Sequence, residues 1–528
     1  MAGELAGNLA GNLAGDSADF DLAIVGGGVN GTGIARDAAG RGLRVLLVEQ
    51  GDLASGTSSA STKLIHGGLR YLEHGWLRLV REALIEREVM LRMAPHLIRP
   101  MRFVLPPVAG MRPAWMLRLG LFIYDHLGGR KMLPATRSVD LAHGPLGVPL
   151  ERPPEIGFEY SDCVADDARL VVLNALDAAE RGAVIRTRTR CIAAERGGGT
   201  PHALWRLVLE VRGRRDTATA RVLVNATGPW LKLFAANVLR DSAPVPARLD
   251  KGSHIVVRRL FEHDRGYVFQ TRDARVVFAL PFEQDFTLIG TTDQGFVGDP
   301  GNVKPSATEI AYLCDTASQH FRTTIGPADV VWAFAGVRSL YDDGSRKAQD
   351  VTRDYVLKLD ERAGEAPLLT VYGGKITTYR RLAEHAIDRL AHVVKAGAPW
   401  TAESHLPGGE FPCDGVDALV ARTRKSRSFL TEAHARRLVR AYGARVERVL
   451  GSARRLEDLG PCLGADLTAA EVRYLMEREW ARRSCQQPPA GKRLRLHCFF
   501  SLRCQGTKRA GEISEKAICG LVAPPPLR

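Results

Sequence analysis

Three glycines and one acid set the first chemical constraint on this chain. Gly26, Gly28 and Gly31 stand in the order G-x-G-x-x-G after the short, mostly apolar run Asp21–Val25. Glu49 follows a second apolar run, Val45–Val48, and lies 18 residues past Gly31. A strand ending in such a loop aims backbone N–H groups and a positive helix end at a pyrophosphate. A carboxylate at that spacing suits the hydroxyls of an adenosine ribose. The glycines alone do not separate NAD from FAD. The stretch TSSASTKLIHGGLRYLEHG, which begins eight residues after Glu49, does so. A nicotinamide enzyme needs no Ser/Thr/Gly loop directly after the ribose acid, whereas a flavin site has a use for its hydroxyl and backbone donors.

The elements that must position these residues are legible in outline. Asn30–Arg41 has a helical pattern, and 76–93 forms an amphipathic helix rich in Leu, Arg and Glu, stopped by Pro95. Val222–Asn225 is expected to be a buried strand returning to the cofactor and ending in a Gly-Pro turn. His254–Val257, Val276–Leu280 and Thr287–Ile289 suit a substrate-domain sheet. After about residue 400 the character is helical. Thr468-Ala-Ala-Glu471 has the form of a capping box, and Val472, Leu475, Met476 and Trp480 then share one helical face.

With these motifs in view, the chain resembles the FAD-dependent (aerobic) glycerol-3-phosphate dehydrogenase family. The resemblance continues through MAPHLIRPMRFVLP (93–106), YSDCVADDARL (160–170), VNATGPW (224–230), KGSHIVV (251–257), IGTTD (289–293), AGVRSLYDD (335–343) and VYGGKITTYRRLAEHA (371–386). It implies an α/β fold: a doubly wound, Rossmann-like FAD-binding domain interleaved with a β-rich substrate domain over 20–400. A C-terminal α-helical domain then spans 401–483. Residues 1–19, a low-complexity repeat, are expected to be a disordered extension, and 484–528 an atypical, disordered tail. The family continues after 483 with an acidic Asp-Asp pair and more helix, whereas this chain has SCQQPPAGKRLRLHCFF.

The reaction that the resemblance implies is oxidation of the secondary alcohol of sn-glycerol 3-phosphate to dihydroxyacetone phosphate, with hydride passing to flavin N5. A base must take the hydroxyl proton while cations hold the phosphate. His66, flanked by glycines in LIHGG, and His254, in KGSHIVV, are both candidates for the base, and His254 equally for a phosphate donor. Arg70 and Tyr71 follow His66 closely enough to share its pocket. Arg338 and Lys375 come from segments that the family places at the flavin, with Arg suited to bidentate phosphate capture and Lys to a point charge. Thr292 and Asp293 are expected to organise their loop. Thr57, Ser58, Ser59, Lys63 and Leu64 would line FAD with hydroxyl and backbone donors. Gly228 and Gly374 would allow close backbone contact, and Thr377 would offer a hydroxyl.

Composition limits the partners. The 528 residues exceed one simple core, so two or three domains are expected, and no run approaches the ~20 apolar residues of a membrane span. Residues 484–528 hold eight Lys or Arg against two Glu, +6 of the net +14, which leaves a moderately basic body of +8. Such a body favours anionic substrates or an anionic membrane surface. No basic-aromatic module points to nucleic acid, and nine cysteines without a C-x-x-C pair argue against structural zinc. The apolar segment 111–132, with Trp115, Phe122 and Tyr124 between Arg112, Arg118, Arg130 and Lys131, could lie in a membrane interface or pack internally. Membrane quinone is the acceptor expected from the family, at the cytoplasmic face of a bacterial inner membrane. An oxidase using oxygen, or an inactive flavin-binding protein because of the altered end, are the alternatives, and a homodimer stays open.

Overall fold

The computed structural model describes residues 18–482 apart from 109–111, 199–202, 242–244, 272, 274, 343 and 345–353. Residues 1–17 and 483–528 lie outside the described residues, and with them all of the expected tail 484–528 and most of the expected extension 1–19. Ala18 is already buried, and Asp19 accepts a hydrogen bond from the Thr219 backbone N–H at 2.8 Å.

The two apolar runs that flank the glycines form β1 (Phe20–Val25) and β2 (Val45–Val48), joined by α1 (Val29–Gly40). They lie side by side in an eight-stranded sheet ordered Val356–Asp360, Leu368–Tyr372, Arg214–Asn225, β1, β2, Val184–Arg186. The last five run parallel. Alternate residues of β1 serve two different cores. Leu22 and Ile24 pack under α1 and the helices Asp167–Glu180 and Tyr379–Arg389. Ala23 and Val25 pack against the antiparallel strands Arg190–Arg196 and Trp205–Val211 on the other face. Burial on both faces explains why Val45–Val48 is a continuous apolar run rather than an alternating one.

A second, mainly antiparallel sheet of ten strands is built from the intervening sequence. Its order is Gln294–Gly295, Ala247–Arg258, Phe286–Gly290, Val276–Phe282, Gly266–Gln270, Ile98–Leu105, Ile156–Ala165, Leu64–Ile65. Val330–Tyr341 adds to the free side of Ala247–Arg258. The chain therefore leaves the parallel sheet after β2 and returns for 184–225. It leaves again for 247–341 and returns once more at 356–372. This interleaving places the loop ends of one sheet against the strands of the other. Among the described residues, no helix is long and apolar enough to cross a membrane.

The C-terminal region is a small helical unit with one hairpin, Cys462–Gly464 with Leu467–Thr468. Its core gathers Val416, Leu419, Val420, Leu438, Val439, Val446 and Tyr474. The expected capping box does not form. Thr468 precedes the helix Ala469–Arg478, but its side chain makes no capping bond. Glu471 instead holds both terminal nitrogens of buried Arg437, at 2.6 and 2.7 Å, and accepts from the Tyr442 hydroxyl. A desolvated guanidinium is costly without a counter-charge, so it captures the carboxylate in preference to a backbone N–H. Val472, Leu475 and Met476 do gather around Leu463 and Leu467. Trp480 departs from them: it lies beyond the helix end and packs on the parallel-sheet domain.

Candidate active site

The turn after β1 has no room for side chains. At Gly26, where φ is +118°, a Cβ would sit 2.4 Å from the Ala226 carbonyl oxygen, and at Gly31 it would sit 1.9 Å from that of Gly26. Gly28 caps α1 without a side chain, and the first turn carries no acid. Backbone donors and the positive helix end are thus available to a diphosphate. Ser58 Oγ reaches back to accept the Val29 N–H at 2.9 Å. Glu49, at the end of β2, accepts the N–H groups of Gly27 and Gly51, both at 2.7 Å. Burial raises its pKa, opposed by these two backbone bonds. A glycine cradle, an open helix end and a carboxylate fixed beside them fit an adenine dinucleotide.

The loop 57–68 links this cradle to the second sheet by one specific bond after another. Thr57 Oγ1 donates to the Val337 carbonyl at 2.5 Å. Buried Asp167 accepts from Ser61 Oγ at 2.7 Å and pairs with Lys63 Nζ at 2.6 Å. Thr62 Oγ1 lies 2.9 Å from His254 Nε2. The His66 N–H reaches Thr377 Oγ1 at 3.3 Å, and the Gly67 N–H donates to the buried Tyr124 hydroxyl at 2.7 Å. Tyr124 in turn donates to Asp162, which Arg87 pairs at 2.7 Å. Backbone N–H groups in a buried loop must find partners, and side chains from three other segments supply them here.

Three cations and two imidazoles border this loop. Lys375 Nζ stands 3.9 Å from the centroid of the Tyr71 ring, which itself stacks on Trp76 at 5.6 Å. Neither Lys375 nor Arg70 has a hydrogen bond or ion pair among the described residues. Arg338 meets Asp293 at 3.3 Å, and both side chains remain partly exposed. Burial, then the charges of Lys375 and Arg87, lowers the His66 pKa to about 4. Burial, then Lys63 and Arg338, lowers that of His254 to about 3. Both rings are therefore neutral at neutral pH, with their basicity reduced, while Lys375 and Arg70, unpaired among the described residues, can bind an anion. His254 is stacked on Phe334 at 4.8 Å and only 3% exposed, whereas His66 is half-buried.

Residues 21–380 match the model of the FAD dependent oxidoreductase family. Over 466 residues the chain is 51% identical to a glycerol-3-phosphate dehydrogenase from Pseudomonas aeruginosa, covering 88% of this chain and 89% of that one. The chain belongs to the FAD-dependent glycerol-3-phosphate dehydrogenase family. It is also 49% identical to the D-erythritol 1-phosphate dehydrogenase of Brucella abortus, with 88% and 92% covered. The crystal structure of a glycerol-3-phosphate dehydrogenase from Bacillus halodurans complexed with FAD superposes with a TM-score of 0.68 at 26% identity, covering 87% and 83% of the two chains. The protein is thus an FAD-dependent oxidoreductase, with the interleaved α/β fold of this family.

Within that family framework, the residues singled out from the sequence divide into two sets. Gly26, Gly28, Gly31, Glu49, Ser58 and Thr57 converge at the end of β1. Gly374 joins them, because a Cβ there, at φ +93°, would meet the Asn30 side-chain amide at 2.7 Å. His66, Tyr71, Lys375 and Thr377 converge at the second group, with His254 and Arg338 on neighbouring strands in register with Phe334 and Asp250. Gly228 has φ +56° and nothing near its Cβ direction. The Ser59 hydroxyl donates to the Gly56 carbonyl at 3.3 Å, and the Ser59 carbonyl accepts from Lys63 Nζ at 3.4 Å. Leu64 points into the core of the second sheet, leaving only its backbone toward the loop. Thr292 and Asp293 organise their loop: buried Thr292 accepts the Ser253 N–H at 2.9 Å and donates to Glu309.

Sequence reasoning missed Asp167, Thr62, Asn30 and the Tyr124–Asp162–Arg87 group. Asp167 sits in the block YSDCVADDARL, where a pair of acids opens a helix. Asp166 caps that helix through the Arg169 N–H, at 3.1 Å, which leaves its neighbour free to hold Lys63. Asn30 Nδ2 donates to the Gly373 carbonyl at 3.0 Å, across 343 residues of sequence, and no local signal marks it.

Proposed function

We propose that this protein oxidises sn-glycerol 3-phosphate to dihydroxyacetone phosphate and passes the electrons to a membrane quinone. The observation that carries the reading is the Lys375 ammonium, without a counter-ion among the described residues, above Tyr71 and beside a neutral His66. Bound FAD supplies the hydride acceptor. The glycine turn, Glu49, Ser58 and Thr57 hold its diphosphate and adenosine portion, with Lys63, Ser59 and Leu64 shaping the loop. Arg338, Lys375 and Arg70 hold the phosphate, where each charge-assisted bond contributes roughly 1.5–3 kcal/mol. His66 takes the hydroxyl proton, since its ring nitrogens are unengaged among the described residues. His254 is a positioning group, because its Nε2 is already occupied by Thr62.

Anaerobic mixing with sn-glycerol 3-phosphate should bleach the flavin absorbance; absence of bleaching overturns the assignment. D-erythritol 1-phosphate is the second substrate to test, because a relative named for it is as similar as those named for glycerol 3-phosphate. Faster bleaching by the four-carbon ester would transfer the assignment to it. A quinone-analogue assay run against a peroxide assay separates the dehydrogenase from the oxidase.

A peripheral position on an anionic membrane supports the quinone reading. Helix α2 (Leu77–Met93) and the following helix α3 (Ala114–Leu127) pack together. Leu117, Leu121 and Tyr124 turn inward, whereas Trp115 is 68%, Leu119 51% and Phe122 59% exposed on the opposite face. Such a face, flanked by arginines, suits the boundary between headgroups and acyl chains. Trp115→Ser with Phe122→Ser should abolish flotation with anionic vesicles while leaving reduction by substrate intact.

A further inference from the structure

A cleft of about 250 Å³ opens between the start of strand Ile98–Leu105 and the C-terminal helical unit. Its lining includes Ile98, Arg99, Asp414, Val416, Asp417 and Arg440, and none of these belongs to the candidate active site. Arg99 stands exposed at the mouth and Arg440 is half-buried within. Neither guanidinium makes a hydrogen bond or ion pair among the described residues. Of the two acids, Asp417 is already engaged by Arg436 at 2.5 Å, and Asp414 is exposed. Although its tip reaches solvent, the packing around Arg99 lowers its pKa, opposed by the through-space charges of Glu283 and Asp166. Burial, then repulsion from Arg99 and Arg436, lowers the Arg440 pKa to about 10, opposed only in part by the charge of Asp417. Two like charges held in one cleft oppose folding unless something offsets them.

We propose that this cleft is a second anion site, specific for a phosphate group, that fastens the helical unit to the catalytic body. Two forked guanidiniums can each give paired N–H bonds to the oxygens of a phosphate, which a monoatomic anion cannot accept. The apolar wall of Ile98 and Val416 accommodates an ester substituent, and exposed Asp414 accepts from its hydroxyl groups. The phosphate could be free, a soluble monoester, or a lipid headgroup.

The test uses the full FAD-loaded chain in phosphate-free buffer. Equilibrium dialysis with radiolabelled inorganic phosphate should give one site fewer per chain in Arg440→Gln and in Arg99→Gln than in the wild type. Arg440→Lys, which keeps the charge but not the fork, should weaken that site about tenfold. Phosphate should also raise the wild-type Tm by an increment that both variants lose. If dialysis shows no such site but flotation with phosphatidylglycerol vesicles drops in the same variants, the phosphate is a headgroup. Unchanged stoichiometry together with unchanged flotation overturns the proposal. Arg99→Gln lies at the solvent edge, so it decides the matter should Arg440→Gln fail to fold.

Discussion

At the scale of single residues, the chemistry rests on charges that the fold declines to neutralise. Most buried cations here have partners: Lys63 has Asp167, Arg87 has Asp162, and Arg380 has Glu86. Lys375, like Arg70, has no such partner among the described residues. Replacing it with Met should lower kcat/KM roughly ten- to a hundredfold, the value of one charge-assisted bond, while FAD stays bound. The same change carries a second signature. Lys375 contributes to keeping His66 neutral, so its loss moves the His66 pKa upward from about 4. The acid limb of kcat/KM against pH should shift to higher pH, and a purely structural role for Lys375 would leave that limb in place. The residues themselves were legible from the sequence because they sit beside glycines in uncharged surroundings. The contacts were not: Thr377, itself singled out, meets the His66 backbone from 311 positions away, and Asp167 meets Lys63 from 104.

At the scale of elements, α3 turns one face inward and leaves the other exposed. Its inner face delivers the Tyr124 hydroxyl to the Gly67 N–H and to Asp162, which fixes the loop bearing His66. Tyr124→Phe leaves a buried N–H without an acceptor and removes a donor from a buried carboxylate. The expected cost is about 1–3 kcal/mol, read as a lower urea midpoint, with a fall in kcat larger than any change in FAD affinity. Wild-type kcat in a destabilised variant would separate α3 from the loop. The segment's amphipathic composition left internal packing and interfacial exposure open. Periodicity reports that two faces differ but not what covers each; the fold buries one face and leaves the other exposed.

At the scale of the whole molecule, among the described residues the C-terminal unit is joined to the helix Asp167–Glu180 of the parallel-sheet domain by a more exposed pair, Arg445–Glu180 at 2.6 Å, and by a buried one. Arg169, on the helix Asp167–Glu180, meets Glu479 through both terminal nitrogens, bonds the Ala441 carbonyl at 3.0 Å and lies over the Tyr442 ring. Glu479→Gln leaves that guanidinium without its counter-charge in a water-poor seam, and should cost about 3–5 kcal/mol. Limited proteolysis should then release the C-terminal unit first; a resistant variant would mean that the Arg445–Glu180 pair and the apolar contacts suffice. His96 lies in the same seam with neither ring nitrogen bonded, its pKa lowered to about 3 by burial and then by Arg169, Arg440 and Arg445. The unfolded chain binds a proton at this residue below about 6.5 and the folded chain does not, so its contribution to stability falls as pH falls. Relative to the wild type, His96→Leu should gain roughly 1.4 kcal/mol for each pH unit from about 6 down to about 4. Parallel pH dependences of the two proteins would exclude His96 as the source.

The sequence by itself determined the glycine turn, the acid at the end of β2, the flanking strands and helices, and the order of the family blocks. All of these depend on residues within one or two turns of each other, where sterics and periodicity act directly. Only the tertiary structure decided which charges would be left without partners. That outcome depends on segments hundreds of residues apart reaching the same place. Glu471 illustrates it: local pattern assigns it to its own helix end, yet a buried guanidinium from another helix claims it. The ordered blocks named the chemistry, but the interleaving of two sheets arranged the field in which that chemistry occurs.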